Sequence, residues 1–142
     1  MADRSFLSWP FFEDRHRLLA TSLDTWAGQH LANIDHSDTD LACRGLVTAL
    51  GRDGWLEYAT VDPDGSATLD VRSLCLIREI LARHDGLADF SFAMQGLGTG
   101  AISLFGTDFQ KIEWLPKVRA GKLISAFALT EPQSGSDVAN ST

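Results

Sequence analysis

Apolar residues recur along this chain at three- and four-residue steps, broken by short polar stretches, which is the pattern of amphipathic helices. Leu19, Leu23, Trp26, Ala27, His30 and Leu31 share one face. A first helix is therefore predicted from about Ser8-Trp9-Pro10, where Ser8 can cap and Pro10 suits a first turn. Glu13 and Asp14 follow at the positive end of its dipole. The polar run Asn33 to Ser37 reads as a loop. A second helix is predicted over Thr39 to Leu50, buried through Leu46, Val47 and Leu50 and closed by Gly51 at positive φ. Asp62-Pro63-Asp64-Gly65 carries the chemistry of a tight turn. Asp70 is placed to cap a third helix bearing Leu74, Ile77, Ile80 and Leu81, which ends near Gly86.

The pattern changes from Ala88 to Phe105. Phe90, Phe92, Ala93, Met94, Leu97, Ala101, Ile102, Leu104 and Phe105 leave no polar face, and Asp89 is the one charge. A helix apolar on nearly all sides is expected to be buried on nearly all sides. Gly96, Gly98 and Gly100 each lower its propensity by roughly 1 kcal/mol relative to alanine. That cost points to close helix packing or to space left for a ligand. Thr107 and Gln110 have capping-box spacing and open a fifth helix, which Pro116 is expected to kink or end. After Gly121 the short apolar run Leu123 to Leu129, with Ser125 inside it, reads as a strand. Five helices and one unpartnered strand predict a mainly α chain cut inside a larger architecture, because a lone strand cannot satisfy its backbone.

Composition narrows the function classes. The 142 residues carry a formal charge of -7, which disfavours nucleic-acid partners. No apolar run is long enough for a membrane span, and the N-terminus lacks the apolar centre of a secretory signal, so a cytoplasmic protein is expected. Cys43 and Cys75 fit no metal or redox spacing and are expected to be reduced, half-buried thiols. His16, His30, His36 and His84 form no ligand pair and read as structural or surface residues; His84 suits a helix C-terminus. Gly96-Leu97-Gly98-Thr99-Gly100 looks like the start of a dinucleotide fingerprint, but no strand precedes it. The segment Phe127 to Asp137 is the best site candidate. Thr130 offers a hydroxyl, Pro132 blocks a ladder bond, and Ser134-Gly135-Ser136 lets backbone approach a ligand. An ordinary polar loop after a strand fits the same residues equally well.

At these residues the chain resembles the acyl-CoA dehydrogenase family. Ala128-Leu129-Thr130-Glu131-Pro132-Gln133-Ser134-Gly135-Ser136-Asp137 matches the family's A-[LM]-T-E-P-x-[AS]-G-S-D. Leu81-Ala82-Arg83-His84-Asp85, Leu104-Phe105-Gly106-Thr107-Asp108-Phe109-Gln110-Lys111 and Trp114-Leu115-Pro116 with Gly121-Lys122 resemble its other landmarks in order. The resemblance is weakest before Thr39. It implies an N-terminal helical domain over residues 1–121 and the start of a middle β-domain over 122–142. It further implies FAD as cofactor, an acyl-CoA substrate, a homotetramer, and an electron-transfer flavoprotein as partner. Carried over, Phe127, Leu129, Thr130, Gly135 and Ser136 would border FAD. Ser136 would also meet the CoA thioester arm, and Phe90, Ala93, Met94 and Leu97 would line the acyl tunnel, with the glycines leaving volume for it. Phe127 stands where many members carry tyrosine, and Gln133 where glycine or alanine is common.

No catalytic residue is assigned, because the family's glutamate base lies far downstream of these residues. Its loss removes roughly 10²–10⁴-fold of general-base catalysis, so the 142 residues alone are expected to be inactive and to bind FAD weakly or not at all. Two alternatives remain at this stage. One is an acyl-CoA oxidase or flavin monooxygenase of the same fold. The other is a non-catalytic helical domain that assembles with a partner chain.

Overall fold

The computed structural model describes residues 3–64 and 68–141. Five α-helices follow in order: α1 Asp14–His30, α2 Thr39–Arg52, α3 Val71–His84, α4 Gly86–Phe105 and α5 Asp108–Arg119. Short 3-10 turns lie at Ser5–Ser8, Trp55–Ala59 and Val138–Asn140. Among the described residues there is no strand, only an isolated bridge between Glu131 and Ser134. Nor is any helix long and apolar enough to cross a membrane.

The start of α1 differs from expectation. Ser8 Oγ donates to the Ser5 carbonyl (2.7 Å) and closes a separate 3-10 turn, leaving Trp9 and Pro10 in the connection. The helix begins after Glu13, whose backbone N–H donates to His16 Nδ1 (2.9 Å) in a reciprocal capping box. His16 is wholly buried. With Nδ1 accepting, the ring proton sits on Nε2 and is donated to Asp70 Oδ2 (2.9 Å). Asp70 also caps α3 through the Arg72 amide (3.1 Å), takes the Ser73 hydroxyl (3.0 Å), and pairs with Arg15 (3.0 Å). One carboxylate thus ties α1 to the start of α3. Thr107 caps α5 as its sequence position predicts, and α2 is capped by Asp38, to which the sequence reading gave no role.

The core lies between α1, α2, α3 and α4, around Leu23, Ala27, Leu46, Leu50, Ile77 and Phe92. Gly51 stays helical, and Gly54 takes the positive φ of 82° that ends α2. Gly51 serves contact instead: a Cβ there would lie 2.3 Å from the Gly121 amide nitrogen. Gly121, at φ 67°, presses against the Val47 carbonyl, so α2 seats the turn that leaves α5. Pro116 does not end α5. It lies in the last turn, and the helix runs only three residues past it, to Arg119. Pro63 and Asp64 form the expected turn; Gly65 lies outside the described residues. Cys43 is half-buried, but Cys75 is exposed, and both are free.

The largest departure is α4. It is not buried on all sides. Ala88, Ser91, Phe92, Gln95, Thr99 and Ser103 face inward, while Phe90, Leu97, Leu104 and Phe105 face out. The buried side is mostly small or polar: Thr99 Oγ1 donates to the Gln95 carbonyl (2.7 Å) and Gln95 Nε2 to the Ser91 carbonyl (3.2 Å), while the buried hydroxyls of Ser91 and Ser103 have no partner among the described residues. The glycines within it act through contact. A Cβ on Gly98 would lie 2.8 Å from Ser125 Oγ and 2.8 Å from the Ala126 nitrogen, and one on Gly96 would lie 3.0 Å from the Ala59 carbonyl. Gly100 meets nothing within 4 Å. The dinucleotide reading fails because all three sit inside a helix.

Burial pushes the Asp70 carboxyl up, but hydrogen bonds from His16 and Ser73, with the Arg15 charge, outweigh it and hold it at about 2, below the ordinary 3.8. The folded value lies below the unfolded one, so this contribution is complete above pH 3.8 and is lost as pH falls toward 2. Asp70→Ala should cost more in urea denaturation than Asp38→Ala, which removes a cap worth about 1 kcal/mol, and Asp70→Asn should flatten the acid limb of the stability curve. Equal losses for the two alanine variants would remove the α1–α3 tie. Gly100→Ala should stabilise by about 0.5–1 kcal/mol. Gly98→Ala should instead push Ser125 off α4, read as faster exchange of the Ser125 amide, whose hydrogen bond to Gln95 Oε1 would be lost.

Candidate functional site

The outward side of α4 repeats at alternating four- and three-residue steps: Phe90, Met94, Leu97, Ala101 and Leu104. Phe90 is 57% exposed and Phe105 86%; Ala93 and Met94 are half-buried. At the N-terminal end of this stripe, Arg78 Nε and Nη2 both donate to the Asp89 carboxylate (2.9 Å each), which locks α3 to α4 and raises the guanidinium pKa. No other charged residue lies on α4.

The chain then returns across this helix. Lys122 and Leu123 amides donate to the Lys117 carbonyl, closing α5. Ser125 is stapled to α4: its N–H donates to Gln95 Oε1 (2.9 Å), and its hydroxyl lies 3.1 Å from the Met94 carbonyl and 3.0 Å from that of Gln95. Gly98 leaves the space this approach requires. Beyond the staple the predicted strand is absent. The amides of Ala126 through Thr130 have no hydrogen-bond partner among the described residues, because no neighbouring strand is there to pair with. Phe127 and Leu129 are exposed, with Thr130 beside them.

The Thr-Glu-Pro break makes a tight turn. Glu131 N–H donates to the Ser134 carbonyl (2.9 Å), and Ser134 N–H returns the bond to Glu131 (3.2 Å). Ser134 is buried, and its hydroxyl donates to the Asp137 carbonyl, which folds the end of the chain onto the turn. Gly135 and Ser136 stand exposed beyond it. Through Ser125 the structure brings Met94 and Phe90 together with Ala126, the residue before the Phe127–Thr130 segment. It leaves Gly135 and Ser136 on the outside of a separate turn.

Two of the three residues that hold the site, Ser125 and Gln95, carry no role in the sequence reading, and Ser134 was read there only as part of a small-residue turn. Ser125 and Gln95 make the staple, and Ser134 makes the turn. The signal was a polar residue in an apolar run: Ser125 is the one polar side chain between Leu123 and Leu129. A cavity of about 220 Å³ lies between α2, α4 and the stapled segment, walled by Cys43, Val47, Phe90, Met94, Ile124 and Ala126. Among the described residues no group of three or more His, Cys, Asp or Glu side chains is placed to hold a metal.

Residues 13–122 match the family description of the acyl-CoA dehydrogenase N-terminal domain. A probable acyl-CoA dehydrogenase of Bacillus subtilis (strain 168) is 32% identical over 130 residues, which is 89% of this chain and 22% of that protein. The human mitochondrial very long-chain specific acyl-CoA dehydrogenase is 48% identical over 63 residues, 44% of this chain and 10% of that protein. An acyl-CoA dehydrogenase of Mycobacterium tuberculosis is 27% identical over 139 residues, 96% of this chain and 35% of that protein. The chain thus spans a minor part of the length of each relative. With the N-terminal domain matched almost from the capping box of α1 to the turn after α5, this chain belongs to the acyl-CoA dehydrogenase family.

Proposed function

We propose that the chain is the N-terminal part of a FAD-dependent enzyme that removes two hydrogens across the α,β bond of an acyl-CoA thioester. The observation that carries this reading is the Ser125 staple, which brings the start of the unpartnered run Ala126 to Thr130 against Phe90 and Met94 of α4. In this reading residues 122–142 begin the middle β-domain, and those amides of Ala126 to Thr130 that do not meet the cofactor find a ladder there. Phe127 and Leu129 would lie along the isoalloxazine. Thr130 and the neighbouring amides would donate to its polar edge, placing positive dipoles where negative charge develops on reduction. Gly135 and Ser136 would border the cofactor, with Ser136 toward the thioester arm. FAD, when bound, supplies the acceptor for the hydride from the β carbon.

The remaining work of these residues is binding and exclusion of water. Phe90, Ala93, Met94 and Leu97 would form one wall of the acyl tunnel, where an apolar lining favours the chain by about 25 cal/mol per Å² removed from water. None of the 142 residues is assigned as the base for the α proton. A homotetramer and electron transfer to a flavoprotein belong to the same proposal, as properties of the whole polypeptide.

The whole polypeptide should purify yellow, with one FAD per chain that bleaches anaerobically on addition of an acyl-CoA; a colourless protein that takes up no flavin overturns the proposal. The 142-residue chain alone should reduce no dye with acyl-CoA. In the whole polypeptide Ala93→Phe should lower kcat/KM for a long-chain thioester at least tenfold relative to a short-chain one. An unchanged ratio would remove α4 from the tunnel wall.

A further inference from the structure

The segment before α1 is held by a contact that one proton can undo. His16 is wholly buried, and both its ring nitrogens are engaged: Nδ1 accepts the Glu13 N–H (2.9 Å) and Nε2 donates to Asp70 Oδ2 (2.9 Å). A protonated imidazole donates from both nitrogens and accepts at neither. A proton on Nδ1 would therefore face the Glu13 N–H across the same 2.9 Å, two donors with no acceptor between them. Buried donors that lose water and gain no partner are costly, so one of the two must move. The ring is fixed at its other end by Asp70, which leaves the Glu13 amide to give way.

Glu13 is the joint between α1 and residues 4–12, and those residues lie over the helices. Arg17 Nε donates to the Leu7 carbonyl (2.9 Å), Arg72 Nη1 to that of Phe11 (2.8 Å), and the Phe12 ring stands edge-on to His16 at 6.0 Å. Beneath them, Phe6 and Leu7 border Ala20 of α1 and Leu76 and Ile80 of α3, all three buried. At the far end Asp24 holds Arg4 (2.6 Å), Arg83 (3.0 Å) and His84 (2.8 Å), and Glu79 pairs with Arg83 (3.5 Å).

The charges facing His16 do not change near neutrality. Asp70 sits at about 2, and Glu13 is held below the ordinary carboxylate range by hydrogen bonds from Arg15 and Arg72, so both are ionised. Arg15 and Arg72 stay cationic, and the Tyr58 phenol, which faces Arg15 from the Trp55–Ala59 turn, is neutral. Between pH 8 and 5 the side chain that titrates is histidine, which in this clasp means His16 and His84.

We propose that His16 is a proton-operated latch, which takes a proton at Nδ1 as pH falls from 8 to 5, gives up the Glu13 N–H, and releases residues 4–13 from α1 and α3. The closed form must break a hydrogen bond to take the proton and the open form need not, so proton uptake accompanies opening and lower pH favours it. Release uncovers Ala20, Leu76 and Ile80. The family match begins only at residue 13, so the latch is independent of the acyl-CoA reading.

Amide exchange in the 142-residue chain is followed by NMR at pH 7.5 and 5.0, each rate divided by that of an unstructured peptide at the same pH. Protection of the Glu13 amide should fall at least tenfold at the lower pH, together with that of Trp9 and Phe12, whose amides bond within the segment, while Leu50 in α2 stays within twofold. His16→Gln puts an acceptor that does not titrate in the place of Nδ1 and should keep Glu13 equally protected at both pH values. His84→Gln should retain the full loss. Constant Glu13 protection in the unaltered chain overturns the inference, as does a loss that His16→Gln retains or His84→Gln abolishes. Because His16 is buried and its variant risks the fold, Asp70→Asn provides the second test. It withdraws the anion that favours the protonated ring and should move the loss to lower pH; an unmoved loss overturns the inference as well.

Discussion

Gln95 is buried in the middle of α4, where no water reaches its amide, and a buried amide left unpaired costs about 1–3 kcal/mol. Its nitrogen donates to the Ser91 carbonyl one turn back, and its oxygen accepts from the Ser125 amide thirty residues on. The second bond decides the architecture of this end of the molecule. It fixes where the returning chain crosses α4, and so which residues follow in the free run from Ala126 to Thr130. Gly98 is the steric condition for it, since any side chain there would strike Ser125 and Ala126. The local propensity cost of that glycine is offset by a long-range hydrogen bond.

The same constraint explains why α4 wears its large apolar residues outside. Its inward side meets α2, α3 and the stapled segment at short range, and small or hydrogen-bonded groups such as Ala88, Ser91, Thr99 and Ser103 permit that approach. Phe90, Leu97, Leu104 and Phe105 cannot fit there and are left to solvent or to a ligand. Phe109, Ile112, Ile124 and Phe127 are exposed apolar residues as well.

Local signals were legible in the sequence where the physics is local. The caps at Asp70 and Thr107 act within three residues of themselves, and the structure places both as their types and spacing predict. Errors arose where a distant partner decides. Ser8 looks like a cap until Ser5 takes its hydroxyl, and the real start of α1 depends on His16 turning inward to Asp70, fifty-four residues away. Period alone read α4 as buried on every side, because it registers apolar content and cannot register which side must be thin. The strand after Gly121 failed for the reason that made it suspect: its ladder partner is missing from the described residues. The motif at Phe127 to Asp137 was readable as chemistry, but its attachment to α4 through Ser125 was not, since a serine in an apolar run has no fixed reading.

Charge is unevenly divided over the described surface. On the α1–α3 side, Asp24 gathers Arg4 (2.6 Å), Arg83 (3.0 Å) and His84 (2.8 Å), and the His84 hydrogen bond leads the causes that hold its carboxyl below the ordinary range. Asp70, Glu13, Arg15 and Arg72 form a second linked group there. Such exposed or half-exposed pairs contribute little each, and they are compatible with a surface that stays in water. The outward face of α4 and the stretch from Leu123 to Thr130 hold one ion pair at their edge, Arg78–Asp89, and otherwise hydrocarbon and bare amides. Ionic groups on that face would have to be desolvated whenever an aliphatic chain or a flat cofactor covered it, at a cost of several kcal/mol per unpaired ion. Their near absence removes that penalty, so the wet side keeps the helices in register while the dry side stays free to be covered.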